Sequence, residues 1–101
     1  MPPSQSKRWC FTINNYTGID VLRLTALADH VTYLVFGREV GDSGTPHLQG
    51  YVIFQSNKRF NAAKSCISPQ AHLETARGDN LAASTYCKKD GDYQEFGTLP
   101  A

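Results

Sequence analysis

The stretch "VTYLVFGREVGDSGTPHLQGYVIFQ", residues Val31 to Gln55, holds two strand-like runs around a turn. Val31–Val40 concentrates β-branched and aromatic residues, the composition of a pleated, half-buried strand. "GDSGTP" then supplies Gly, Asp, Ser and Pro, each suited to a turn. His47–Gln55 resumes the strand pattern, so the pair predicts an antiparallel hairpin. Side chains alternate along a strand, which puts His47 and Gln49 on one face and sends Leu48 into the core. The hairpin also brings the end of the first strand, with Glu39, close to His47.

Working outward, "RWCFTIN" (Arg8–Asn14) is another strand, broken by "NNYTG". "IDVLRLTALADH" (Ile19–His30) has the apolar spacing of a short amphipathic helix. "NKRFNAAKSC" predicts a second helix, with Lys58, Arg59 and Lys64 on a solvated face open to phosphate contact. A strand follows around His72–Arg77. Asp79 is a good N-cap for a third helix that runs through Lys89 and stops at "DGD". "YQEFGTL" predicts a last strand. The order predicts an α+β fold: a central antiparallel sheet of about five strands, with flanking helices mainly on one face. A ferredoxin-like split β-α-β core fits, and RNA-recognition modules share that shape.

The chain has 101 residues, 41% of them hydrophobic, enough for one domain with a single core. Residues 1–6 form a polar arm expected to be mobile. The formal net charge of +1 is low for an indiscriminate polyanion binder. The basic residues nevertheless cluster, at Lys7 and Arg8, at Lys58 and Arg59 with Lys64, at Arg77, and at Lys88 and Lys89. Cys10, Cys66 and Cys87 are odd in number and far apart, which suits neither a zinc knuckle nor a disulfide scaffold. Reduced thiols in an intracellular compartment are the simplest expectation. No apolar run is long enough to span a bilayer.

Two weak signals carry chemistry. One carboxylate, one imidazole and one amide oxygen (Glu39, His47, Gln49) make an oxygen-rich set suited to Mg²⁺ or Mn²⁺. Tyr86 and Lys89 stand at i and i+3, within reach of each other on a helix. Taken alone, that pair reads as ordinary helix surface, and a lone H-x-Q as an ordinary polar strand face. Together they describe a device. The metal polarises a phosphodiester and the phenol attacks phosphorus. A phenol ionises near pH 10, so a cation such as Lys89 would assist it.

Three motifs in order carry a family resemblance: "FTINN" (Phe11–Asn15), "PHLQGY" (Pro46–Tyr51) and "YCKK" (Tyr86–Lys89). "KRWCFT", "GTPHLQGY" and "HLETARG" extend it over most of the chain. The chain resembles the N-terminal HUH endonuclease domain of replication initiator proteins from small circular single-stranded DNA viruses, circovirus- and nanovirus-like. The resemblance implies a nuclease that nicks and rejoins single-stranded DNA at a hairpin origin, starting and ending rolling-circle replication. It implies Tyr86 as the nucleophile left linked to the 5′ phosphate, with Lys89 assisting. Glu39, His47 and Gln49 would hold the divalent metal. Asn14 and Asn15 would meet DNA or shape the site, and Lys7, Arg8, Lys58, Arg59 and Arg77 would contact the strand. It also implies a host-nuclear protein; full-length members of the family usually continue into a helicase domain, which residues 7–101 do not include. The isolated domain is expected to be monomeric, and the full-length protein to oligomerise. The competing class is a non-enzymatic RNA- or single-strand-binding module of the same shape. Such a module would need stacking aromatics on its central strands and no metal.

Overall fold

The computed structural model describes residues 5–101. The elements follow the order read from the sequence: β1 (Gln5–Asn14), α1 (Gly18–Leu27), β2 (Val31–Val40), β3 (Pro46–Arg59), α2 (Phe60–Ile67), β4 (His72–Thr75), α3 (Asn80–Cys87) and β5 (Tyr93–Gly97). A single 3₁₀ turn, Ala28–His30, joins α1 to β2. One five-stranded sheet runs β4-β1-β3-β2-β5, and every neighbouring pair is antiparallel. Strands β1 and β2 flank β3, which is the split β-α-β arrangement of a ferredoxin-like core, with β5 added at one edge.

Strand alternation divides the side chains between two faces. Phe11, Ile13, Leu34, Phe36, Leu48 and Val52 pack under α1 and α2, whose Leu24, Ala63 and Ile67 are fully buried. Asp20 fastens these two helices. Its carboxylate accepts from the Thr17 N–H and from the Ser68 hydroxyl, each at 3.0 Å. The opposite face carries Tyr33, Val35, Tyr51 and Ile53 beneath α3, which contributes Cys87. Gly37 lies on that face, and a Cβ there would stand 2.0 Å from the Cys87 carbonyl oxygen. Only glycine lets the end of α3 come so close to β2.

Four boundaries differ from the sequence reading. Gln5 and Ser6, assigned to the arm, pair with Arg59 and Lys58; residues 1–4 of the arm lie outside the described residues. That pairing is also why Lys58 and Arg59 are not on a helix face. They end the 14-residue β3, and α2 starts at Phe60. The β4 strand closes at Thr75, which leaves Arg77 in the loop before α3. Helix α3 ends at Cys87, with Lys88 as its C-cap, so Lys89 belongs to the following turn.

Candidate functional site

Glu39 and His47 are register partners on β2 and β3. The Glu39 Oε1 lies 3.1 Å from His47 Nε2, and Glu39 is 9% exposed. A carboxylate so buried needs partners. Its second one is Lys89, whose Nζ lies 2.5 Å from Glu39 Oε2. The same ammonium stands over the Tyr86 ring, 3.8 Å from the centroid, and donates to the Tyr86 carbonyl at 3.3 Å. The turn after α3 therefore places Lys89 where the helix reading had put it, beside Tyr86, by another route. Tyr86 itself is 55% exposed, so its ring is open to solvent.

Gln49 sits two residues along β3 from His47, on the same face, opposite Gly37 and Thr12. Its Oε1 accepts from the Thr12 hydroxyl at 3.2 Å, and its Nε2 donates to the Phe11 carbonyl at 3.4 Å. An amide oxygen has two lone pairs, so one acceptor site stays open. Among the described residues no three His, Cys, Asp or Glu side chains gather as a metal-binding group. Glu39 and His47 form a pair, and the neutral Gln49 amide is the donor nearest to them along β3 on that face.

Gln49 and Tyr86 line a common groove of about 270 Å³, together with Arg77 and Glu74. A smaller hollow of about 160 Å³ adjoins it across Gln49, Cys10 and Glu74, and reaches Thr12 and His72. The groove thus runs along the α3 face from the loop before the helix toward the β4 edge.

The remaining sequence candidates separate in space. Asn14 pairs with His47 at the same end of the sheet. Asn15 follows in the left-handed region, φ 53°, where asparagine is tolerated, and its N–H donates to the Pro46 carbonyl at 2.8 Å. Lys58 and Arg59 pair with Ser6 and Gln5, beside Lys7, at the opposite end of β1 from Asn14. Lys7, Lys58 and Arg59 are therefore not gathered with Tyr86 and His47. Arg8 spends its guanidinium on the protein itself, donating from Nε to the Tyr51 hydroxyl at 2.6 Å and to Asn80 Oδ1 at 3.1 Å, and from Nη2 to the Gly78 carbonyl. Sequence reasoning missed Tyr51 and Asn80 as Arg8 partners. The only signal was a tyrosine, rather than phenylalanine, at an inward-facing strand position.

Cys87 adjoins Tyr86 but is 2% exposed, and burial pushes its thiol up to about 12. It stays protonated at neutral pH and acts as a small core residue. Trp9, Phe11 and Tyr51 are buried, at 2%, 1% and 0% exposure, so none can stack on a base.

Fold and site together define an α+β domain in which an exposed tyrosine is joined through Lys89 to a carboxylate–imidazole pair on the α3 face of the sheet. Residues 6–90 match the model of the family described as "Putative viral replication protein". The chain is 44% identical over 90 residues to the replication-associated protein of Beak and feather disease virus, covering 88% of this chain and 31% of that protein. It is 41% identical over 88 residues to the replication-associated protein of Canary circovirus, covering 86% and 30%. It is 37% identical over 95 residues to Para-Rep C2 of Milk vetch dwarf C2 alphasatellite, covering 91% and 34%. The chain belongs to this family of viral replication proteins. It spans about a third of the length of these relatives.

Proposed function

We propose that this domain acts in replication of a circular single-stranded DNA genome, nicking and rejoining one strand at a hairpin origin through Tyr86. One observation carries the reading: Tyr86, Lys89, Glu39 and His47 form a continuous chain of contacts on the α3 face of the sheet. In the nicking step the Tyr86 oxygen bonds to phosphorus as the bond to the 3′ oxygen breaks. The phenol loses its proton and the 3′ hydroxyl gains one, so the exchange is balanced and reversible. Because a phosphate ester is kept, the 3′ hydroxyl can later attack the adduct and reseal the strand.

Glu39, His47 and Gln49 fit an oxygen-rich divalent site for Mn²⁺ or Mg²⁺. They offer a buried carboxylate, an imidazole facing it, and an amide oxygen with a free lone pair on the same face. Such an ion would draw charge from a phosphate oxygen. Lys89 would contribute fixed positive charge next to the attacking ring. Arg77 lines the Tyr86 groove and Asn14 pairs with His47, so these two sequence candidates would meet the strand there. Lys7, Lys58 and Arg59 would guide DNA arriving from the far end of the sheet.

The non-enzymatic alternative needs aromatics exposed on the central strands. Tyr33, Phe36, Tyr51 and Phe54 of β2 and β3 are all buried, which speaks against it. The test is incubation with a library of single-stranded hairpin loops and Mn²⁺, followed by a denaturing gel. A protein–DNA band that maps to Tyr86 by mass spectrometry is expected. No adduct with any loop would defeat the proposal. A nuclear address, oligomerisation and a helicase partner domain would be properties of the whole protein, each to be tested on its full length.

A further inference from the structure

Helix α3 carries Tyr86 but rests on the sheet through a narrow face. Asn80, Ala83, Ser84 and Cys87 follow the i, i+3, i+4, i+7 spacing that one helix face presents. Of these only Ser84 and Cys87 are fully buried, and α3 has just 8 residues. So short a helix has little stability of its own. Its apolar contact with the sheet is small, so polar contacts at its ends have more to fix.

Those contacts converge on its first residue. The Asn80 Oδ1 accepts from Arg8 Nε at 3.1 Å and from the Tyr51 hydroxyl. Arg8 Nε also donates to the Tyr51 oxygen at 2.6 Å, so the three groups form a closed triangle. Arg8 holds the preceding loop as well. Its Nη2 donates to the Gly78 carbonyl, and its own carbonyl accepts from the Ala76 N–H at 3.1 Å. Tyr51 is 0% exposed on the central strand β3, so its oxygen is a fixed point. The Asn80 amide nitrogen reaches the Pro100 carbonyl at 3.3 Å, which adds the C-terminal segment to the clamp.

We infer that Arg8, Tyr51 and Asn80 are positioning residues that set the angle of α3 on the sheet, and through it the place of Tyr86 relative to Glu39 and His47. The inference rests on the nicking role proposed for Tyr86. Tyr86 lies six residues beyond Asn80, about 9 Å along the helix axis. A tilt at the anchored end becomes a displacement at the ring. A displacement of about 1 Å can cost roughly a hundredfold in rate. This gives Arg8 a task other than binding phosphate, which its basic neighbourhood alone would suggest.

The variants are Tyr51→Phe, which keeps the ring and removes the hydroxyl, and Arg8→Lys, which keeps the charge and loses the forked geometry. Two measurements are made on each. One is amide hydrogen exchange across residues 80–88, which needs no DNA. The other is the single-turnover rate of adduct formation at saturating oligonucleotide, with affinity read by anisotropy. Expected are exchange in α3 about tenfold faster with β2 and β3 unchanged, a rate about ten- to a hundredfold lower, and affinity within about twofold of the parent. Unchanged α3 exchange in both variants would overturn the inference whether or not the parent nicks DNA. Weakened affinity with a parental rate at saturation would also overturn it and make Arg8 a phosphate contact. A parent that forms no adduct would defeat the nicking proposal instead, and the exchange data would still decide whether the triangle holds the helix.

Discussion

Lys89 bridges Tyr86 to Glu39: its ammonium lies 3.8 Å from the ring centroid of the first and 2.5 Å from a carboxylate oxygen of the second. One cation thus touches the candidate nucleophile and a candidate metal ligand. Lys89→Ala should slow adduct formation by about ten- to a thousandfold, the range for one electrostatic contact made in the transition state. It should also tighten Mn²⁺ binding in a calorimetric titration, since Glu39 loses a competing cation. Parental values of both would remove Lys89 from the chemistry and leave it only the task of neutralising the buried Glu39.

Tyr86→Phe removes one oxygen and keeps the ring under Lys89. DNA and Mn²⁺ binding should stay at parental levels while the covalent adduct disappears. A time course on denaturing gels, with mass spectrometry of the linked peptide, reads this directly. An adduct on Tyr93, Tyr51 or Tyr16 would end the assignment. Tyr51 is the poorest competitor on physical grounds, because it is fully buried and its hydroxyl is held by Arg8 and Asn80.

His47→Ala should abolish cleavage and lower Mn²⁺ affinity without unfolding the domain. Glu39 keeps Lys89 as a charged partner in that variant, so no buried carboxylate is left alone. Removing divalent ions with EDTA should stop the parent in the same way, and added Mn²⁺ should restore only the parent. Undiminished titration of the His47 variant would take His47 out of the ligand set.

The strands and the Glu39–His47 pairing were legible in the sequence because they rest on period-two alternation around a marked turn. The register follows once Leu48 must face the core. The third helix was legible from its cap: the Asp79 carboxylate accepts from the Ala82 N–H at 2.7 Å. Two things were hidden. The strand character of Lys58 and Arg59 comes from pairing with Gln5 and Ser6, some fifty residues away, and local composition carries no trace of it. The intramolecular partners of Arg8 were also hidden, because charge is visible in a sequence and its partner is not. Tyr51 and Asn80 reach it only through the fold.

The far end of α3 is held by charge. Lys88 Nζ donates to Glu95 at 2.9 Å, and the Tyr33 hydroxyl donates to the same carboxylate. Tyr33 first, then Lys88, hold the Glu95 carboxyl below its usual 4.5, and burial with Glu95 beside it pushes the Tyr33 phenol up. A depressed carboxyl contributes stability above its unfolded value and loses it as pH falls through the folded one. Urea stability should therefore fall as the pH is lowered below about 4.5, and Glu95→Gln should flatten that fall. The effect should be modest, since the Glu95 side chain is 32% exposed and solvent screens the pair. An identical acid limb in both proteins would remove Glu95 from the account.

Gly37 controls how closely the end of α3 can approach the sheet. An added Cβ would meet the Cys87 backbone oxygen at 2.0 Å, and backbone cannot swing aside as a side-chain tip can. Gly37→Ala must therefore lift the last turn of the helix, where Tyr86 and the turn bearing Lys89 sit. Overpacking of this kind costs about 1–3 kcal/mol. The displaced ring should slow adduct formation by more than that stability loss explains, since the domain stays folded at 25 °C while the geometry of attack is altered. Gly18→Ala is the control. Nothing lies within 4 Å of its added Cβ, and it opens α1 on the other face of the sheet. It should leave the rate unchanged and the fold as stable or slightly more so. Chemical denaturation and single-turnover kinetics on both variants separate the two effects. A Gly37 variant with a parental rate would mean that the helix end finds another seat without disturbing Tyr86.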